Sequence, residues 1–314
     1  MPYNVENCFL WIQTHPYLLI LLLVLPVFIY FKNILSYINT QPFSMPSSFN
    51  KPYKVVVFDL DETLGCFIEI SIFWNALEVY YGHNLFSDKF FEMMDIFPEF
   101  FRPDIFNILN FIHNKKKNKK CNKLMIYTNN QGLKSWVKMI SDYINKKMDY
   151  VVFDNIIAAY KVNGKQIEPN RTTHDKTVAD LIKCTNIPAD TEICFIDDLY
   201  HHLMDKENVL YIQIKPYKFS MPFKDMATRY YKMVLNKYNQ ATTSESDFTD
   251  SIVSHMKQYN YNVTKKNELE EKTDIVVSKQ LLSHLDEFLK RDRLAATRKK
   301  RNRKIKTMRR VYKY

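Results

Sequence analysis

The chain has 314 residues, with 45 Lys and Arg against 34 Asp and Glu and a formal charge of +11. Four glycines leave no room for a glycine-rich phosphate loop or a dinucleotide fingerprint. Five scattered cysteines (Cys8, Cys66, Cys121, Cys184 and Cys194) argue against a disulfide framework and for a reducing compartment.

Residues 17–31 are fifteen uncharged, mostly aliphatic residues. Extended back to residue 9, the run has 23 residues, long enough as a helix to cross a hydrocarbon core of about 30 Å. Residues 1–32 are therefore expected to be a membrane anchor, and residues 33–50 a linker. Lys32, Lys51 and Lys54 follow the run, whereas Glu6 is the only charged side chain ahead of it. That asymmetry places the rest of the chain on the cytosolic side of a single-pass protein.

Residues 54–59 read as a buried strand, built on Val55, Val56 and Val57. It delivers two carboxylates, Asp59 and Asp61, into the following turn. A carboxylate at the end of a buried strand needs a metal or another partner, because burial without one is costly. With this spacing one acid can attack while the other handles protons. Residues 66–101 are aromatic-rich and stand where a flap or small cap would fit. Arg102-Pro103 opens an expected helix over 103–113, and the lysines of 115–120 read as a solvated loop.

A second strand, 123–128, carries Thr128 at its carboxyl end. Asn129, Asn130 and Gly132 are turn formers, and a helix over 133–147 would aim its first N–H groups at an anion beside Thr128. A strand over 150–155 and a turn at Gly164 follow. Lys176 begins an amphipathic helix over 176–184, and Lys165 stands at the turn; the two compete as the cation that would neutralise an anion at the strand ends. Residues 192–197 form another apolar strand, ending in the adjacent acids Asp197 and Asp198. Their mutual repulsion would be relieved by a divalent cation, and Mg²⁺ prefers oxygen ligands of this kind. His201 and His202 have no partners at ligand spacing and read as structural or solvent-facing. A helix and then a last strand, over 208–214, are expected next.

Strands alternating with helices predict a mostly parallel sheet with helices on both faces. Ligands bind such sheets at the carboxyl ends of the strands, where Asp59, Thr128 and Asp197 all fall. Beyond residue 220 the chain reads as a polar linker, including residues 239–249, and a helical extension. Residues 269–290 have helical periodicity, with Leu281, Leu285 and Leu289 among the apolar set. Residues 290–314 carry thirteen Lys and Arg and one Asp. This basic tail suits nucleic acid, anionic lipid or a targeting receptor.

The text from Asp59 and Asp61 through Glu62, Thr63 and Leu64, with Thr128, Lys176 and the Asp197–Asp198 pair following in order, resembles the haloacid dehalogenase superfamily. It looks most like the CTD-phosphatase branch that includes the NLI-interacting-factor proteins. The resemblance spans roughly residues 51–220. It departs in the long 66–100 segment and in the residues after Asp198. It implies a Rossmann-like α/β domain with a small flap or cap insertion. The activity implied is a Mg²⁺-dependent phosphatase that forms an aspartyl-phosphate on Asp59. Asp61 would be its general acid and base. Thr128, Asn129 and Lys176 would bind the phosphoryl group. Asp59, the Asp61 backbone carbonyl, Asp197 and Asp198 would surround the metal. The implied substrate is phosphoserine or phosphothreonine in proteins. Small-molecule or nucleic-acid-end phosphate, and a catalytically silent scaffold with a basic binding tail, are the alternatives. Membrane-tethered members of the branch share this layout, so the nuclear envelope or nucleus is an expected site.

Overall fold

The computed structural model describes residues 51–82, 87–132, 134–236, 242–264 and 266–291. The expected anchor and linker over 1–50 and all but the first residues of the basic tail lie outside them. Among the described residues no helix is long and apolar enough to cross a membrane.

Five parallel strands form the central sheet: β1 (Lys54–Phe58), β2 (Lys123–Tyr127), β3 (Asn155–Ile157), β6 (Glu192–Asp197) and β7 (Val209–Gln213). Their order is β3-β2-β1-β6-β7, and every adjacent pair is parallel. The architecture is α/β with a Rossmann-like sheet. β4 (Lys161–Val162) and β5 (Lys165–Gln166) form a separate hairpin, turned by Gly164 at φ +78°.

Period-two side-chain alternation sorts the strand residues onto two faces. Val56, Phe58, Leu124, Ile126, Cys194 and Ile196 face the larger core. Val55, Val57, Met125, Tyr127, Ile193 and Phe195 face a smaller core closed by α5 (Val178–Thr185). Because both faces are covered, the central strands are apolar on both faces between their charged or polar ends, as buried parallel sheets require.

The larger core gathers α1 (Ile68–Tyr80), α2 (Ser87–Ile96), α3 (Ile105–Lys117), α4 (Lys134–Met148), α6 (Phe223–Tyr230), α7 (Glu245–Lys257) and α8 (Glu268–Lys290). The expected flap is thus two helices and a 3₁₀ turn (Pro98–Phe100) built into this core. Phe73 meets Phe97 and Tyr230 edge-on at 5.5 and 5.8 Å, and Trp74 meets Phe90 at 5.3 Å. The aromatic residues that suggested a flap are its packing surface.

The region after 220 also differs from a polar linker. Ser244 caps α7 by accepting the Asp247 N–H, so the polar residues there start a helix. Asn267 and Glu270 close a capping box on α8, whose Leu281, Leu285, Phe288 and Leu289 are buried in the larger core.

Other boundaries shift for local reasons. The strand expected over 150–155 pairs only from Asn155. Upstream, the Val152 N–H goes to the Asn145 side chain, and the Asp154 carboxylate takes the Leu124 N–H. The expected 115–120 loop is helical through Lys117, and Lys119 at φ +53° ends the turn. Between β6 and β7 a 3₁₀ turn (His202–Met204) stands where a helix was expected.

Candidate active site

β1, β2 and β6 end side by side, and each delivers part of the site. Asp59 follows β1, its N–H held by the Ile196 carbonyl at 2.9 Å. Thr128 follows β2, its N–H bonded to Ile157 O at 3.0 Å. Asp197 closes β6 and Asp198 comes next. All four are buried.

Lys176 lies just before α5. Thr177 caps that helix by accepting the Asp180 N–H at 2.9 Å, which fixes the position of its neighbour. The buried Lys176 ammonium reaches Asp59 Oδ1 at 2.5 Å and Asp197 Oδ2 at 2.7 Å. Burial works against its charge, but the two carboxylates more than offset that and raise its pKa. Burial also pushes Asp197 up. A hydrogen bond with His201 and the charge of Lys176 outweigh it and hold Asp197 low. The competing Lys165 is exposed on the hairpin.

Asp59, Asp197 and Asp198 each place a carboxylate oxygen within 4.8 Å of the others. Asp198 is pushed up to about 6, by burial first and then by the charges of Asp59 and Asp197. Three converging carboxylates with a single lysine between two of them leave negative charge uncompensated. An all-oxygen donor set of that charge fits a hard divalent cation. The Asp61 carboxylate is not part of this triad. Its Oδ2 accepts from Asn130 Nδ2 at 2.7 Å, and its buried Oδ1 has no partner among the described residues. Burial pushes Asp61 up to about 6 although Asn130 opposes the shift. This is a carboxyl that can carry a proton near neutrality.

Two buried arginines organise the loops without entering the carboxylate cluster. Arg171 donates to Thr128 O at 3.0 Å, Asn129 Oδ1 at 2.7 Å, and the carbonyls of His174 and Asp175 at 2.9 and 3.3 Å. It therefore ties the β2 loop to the residues leading into Lys176. Arg102 donates to Thr63 O at 2.6 Å, and to Glu62 O and Lys215 O at 2.7 and 2.8 Å. That clamps the turn after Asp61, where Glu62 takes a left-handed φ of 56°. Thr63 Oγ1 in turn meets the Asp198 N–H at 3.2 Å and Asp198 Oδ1 at 3.3 Å.

The structure thus brings together Asp59, Asp61, Thr128, Asn129, Lys176, Asp197 and Asp198. Sequence reasoning did not assign Asn130, Thr63 or Arg171 to the site. Asn130 read only as a turn former, and an isolated arginine carries no spacing signal. His201, read as structural or solvent-facing, places Nε2 3.4 Å from Asp197 Oδ2. No protein-family model, no curated protein and no solved structure matches the chain.

Proposed function

We propose that the protein is a Mg²⁺-dependent phosphatase that works through an aspartyl-phosphate on Asp59. The observation that carries this reading is the convergence of a lysine-paired Asp59 with a second carboxyl, Asp61, that has one unpartnered buried oxygen. A nucleophile and a separately tuned acid, side by side, are what two-step phosphoryl transfer needs.

An Asp59 oxygen attacks phosphorus, and the bond from phosphorus to the ester oxygen breaks. Protonated Asp61 gives its proton to the departing alkoxide. Asp61, now a carboxylate, takes a proton from water as that water attacks phosphorus. The bond from phosphorus to Asp59 breaks, and inorganic phosphate leaves. Lys176, Thr128 and Asn129 would meet the charge on the phosphoryl oxygens. Asp59, Asp197 and Asp198 would hold Mg²⁺, which when bound would neutralise further phosphoryl charge. Asn130 keeps the Asp61 carboxyl facing the reacting group, and Arg171 sets the donors on the opposite loops.

Phosphoserine and phosphothreonine of proteins are the proposed substrates, on the strength of the resemblance around Asp59 and Asp61. The proposed setting is a membrane-tethered cytosolic enzyme. The test is phosphate release by the full chain from phosphoserine peptides and an aryl phosphate, with and without Mg²⁺, beside Asp59→Asn. Mg²⁺-dependent turnover lost in the variant supports the reading. Turnover unchanged in the variant, or none from a folded protein, overturns it.

A further inference from the structure

The end of the sheet opposite the active site collects positive charge and both ends of the described chain. β1 begins at Lys54, about 16 Å of strand away from Asp59. The Lys54 ammonium donates to Phe288 O at 2.7 Å and also to Arg291 O. The point where the chain enters the folded body is therefore adjacent to the point where it leaves. Asn122 joins the same neighbourhood. It pairs with Lys54 through backbone N–H to Lys54 O at 2.7 Å and through its side chain to Lys54 N at 2.8 Å.

Asn122 ends the connection that carries Lys115, Lys116, Lys117, Lys119 and Lys120. Lys115 is tied to Asp286 of α8 at 2.9 Å, and Lys116 to Asp154 at 2.5 Å. Those acids offset two of the charges. Lys117, Lys119 and Lys120 are exposed, and none of them forms an ion pair with another of the described residues. Directly beyond Arg291, residues 292–314 add eleven Lys and Arg against one Asp. Ahead of residue 51 the sequence contains the uncharged run 17–31.

We propose that this edge of the sheet is a docking surface for an anionic phospholipid bilayer, with the active site facing away from it. The lysine cluster and the attachment point of the basic tail supply the electrostatic half of such an interaction. An apolar run long enough to enter lipid precedes residue 51 in the sequence and is the other half of such an interaction. A nucleic-acid surface would account for the lysines and the tail but would have no use for that run. The inference does not depend on the phosphatase reading.

The test is co-sedimentation of the full chain with phosphatidylcholine vesicles, with and without phosphatidylserine. Wild type is compared with the triple variant K117E/K119E/K120E, thermal unfolding serving as the check that the variant folds. Only the gain caused by phosphatidylserine is read, which removes any contribution of the apolar run. In wild type that gain is expected to be present and to shrink at high salt. In the triple variant it should weaken by about a hundredfold. An equal gain in both proteins would overturn the proposal, because the tail would then act alone. So would no gain in wild type, or a preference of the lysine-dependent binding for RNA over vesicles at equal salt.

Discussion

The Lys176 ammonium lies 2.5 Å from Asp59 Oδ1 across 117 residues of chain. The pair joins the end of β1 to the start of α5, and Asp197 completes it from β6. Removing the lysine leaves two buried carboxylates facing each other. Lys176→Met should therefore cost about 3–5 kcal/mol of stability, and Mg²⁺ should return part of that loss by replacing the missing charge. Thermal unfolding with and without Mg²⁺ checks both statements. A variant as stable as wild type, and indifferent to Mg²⁺, would contradict them.

Asp61 is assigned to proton transfer, so its loss should depend on the leaving group. Asp61→Asn should slow release of serine from a phosphoserine peptide by about 10²–10⁴-fold. An aryl phosphate, whose phenolate leaves without a proton, should give a rapid burst near one equivalent and then stall, since hydrolysis of the acyl phosphate still needs the base. Stopped-flow with a chromogenic aryl phosphate would read this. Equal slowing of both substrates from the first turnover would argue against the assignment.

Arg171 touches four groups on two loops of the site, yet none of them is one of the acids. Lysine keeps the charge but cannot reproduce the planar fork. For Arg171→Lys, kcat should fall about 10–100-fold while Lys176 and Asp59 stay in place and the pH profile keeps its shape. An unchanged kcat, or a loss explained wholly by unfolding at the assay temperature, would remove Arg171 from this role.

The central sheet was legible from sequence because the apolar runs of β1, β2 and β6 each end in a polar residue with a chemical use. Asp59, Thr128 and Asp197 could be placed at one sheet edge for that reason. The helices of residues 66–100 were not legible as core. Their aromatic residues find partners on α6 and α7, more than 100 residues later, as in the Phe73–Tyr230 contact. Local periodicity cannot report such partners. Arg102 and Arg171 were illegible as clamps for a related reason. They recognise backbone carbonyls, which every residue offers, so nothing in the sequence marks what they bind.

Glu69 gives a pH prediction away from the site. It is fully buried on α1. Its Oε2 accepts the Met221 N–H at 3.0 Å, and Oε1 has no partner among the described residues. Burial pushes its pKa from 4.5 to about 7, against the opposing Met221 hydrogen bond. With the folded pKa above the unfolded one, its contribution to stability is complete below the unfolded value and is lost as pH rises through the folded value. Relative to Glu69→Gln, wild type should lose about 3 kcal/mol between acid pH and pH 8. Urea unfolding of both proteins across that range would measure it. A constant difference would show that Glu69 does not titrate on unfolding.

The central claim is that phosphorus becomes bonded to Asp59. The most direct measurement is rapid acid quench during turnover of an aryl phosphate with Mg²⁺, followed by mass spectrometry of the peptide containing Asp59. The account predicts an acyl phosphate on Asp59 that disappears as substrate is exhausted and is absent from Asp59→Asn. Turnover that proceeds with no phosphate on Asp59, or that persists in Asp59→Asn, would contradict it.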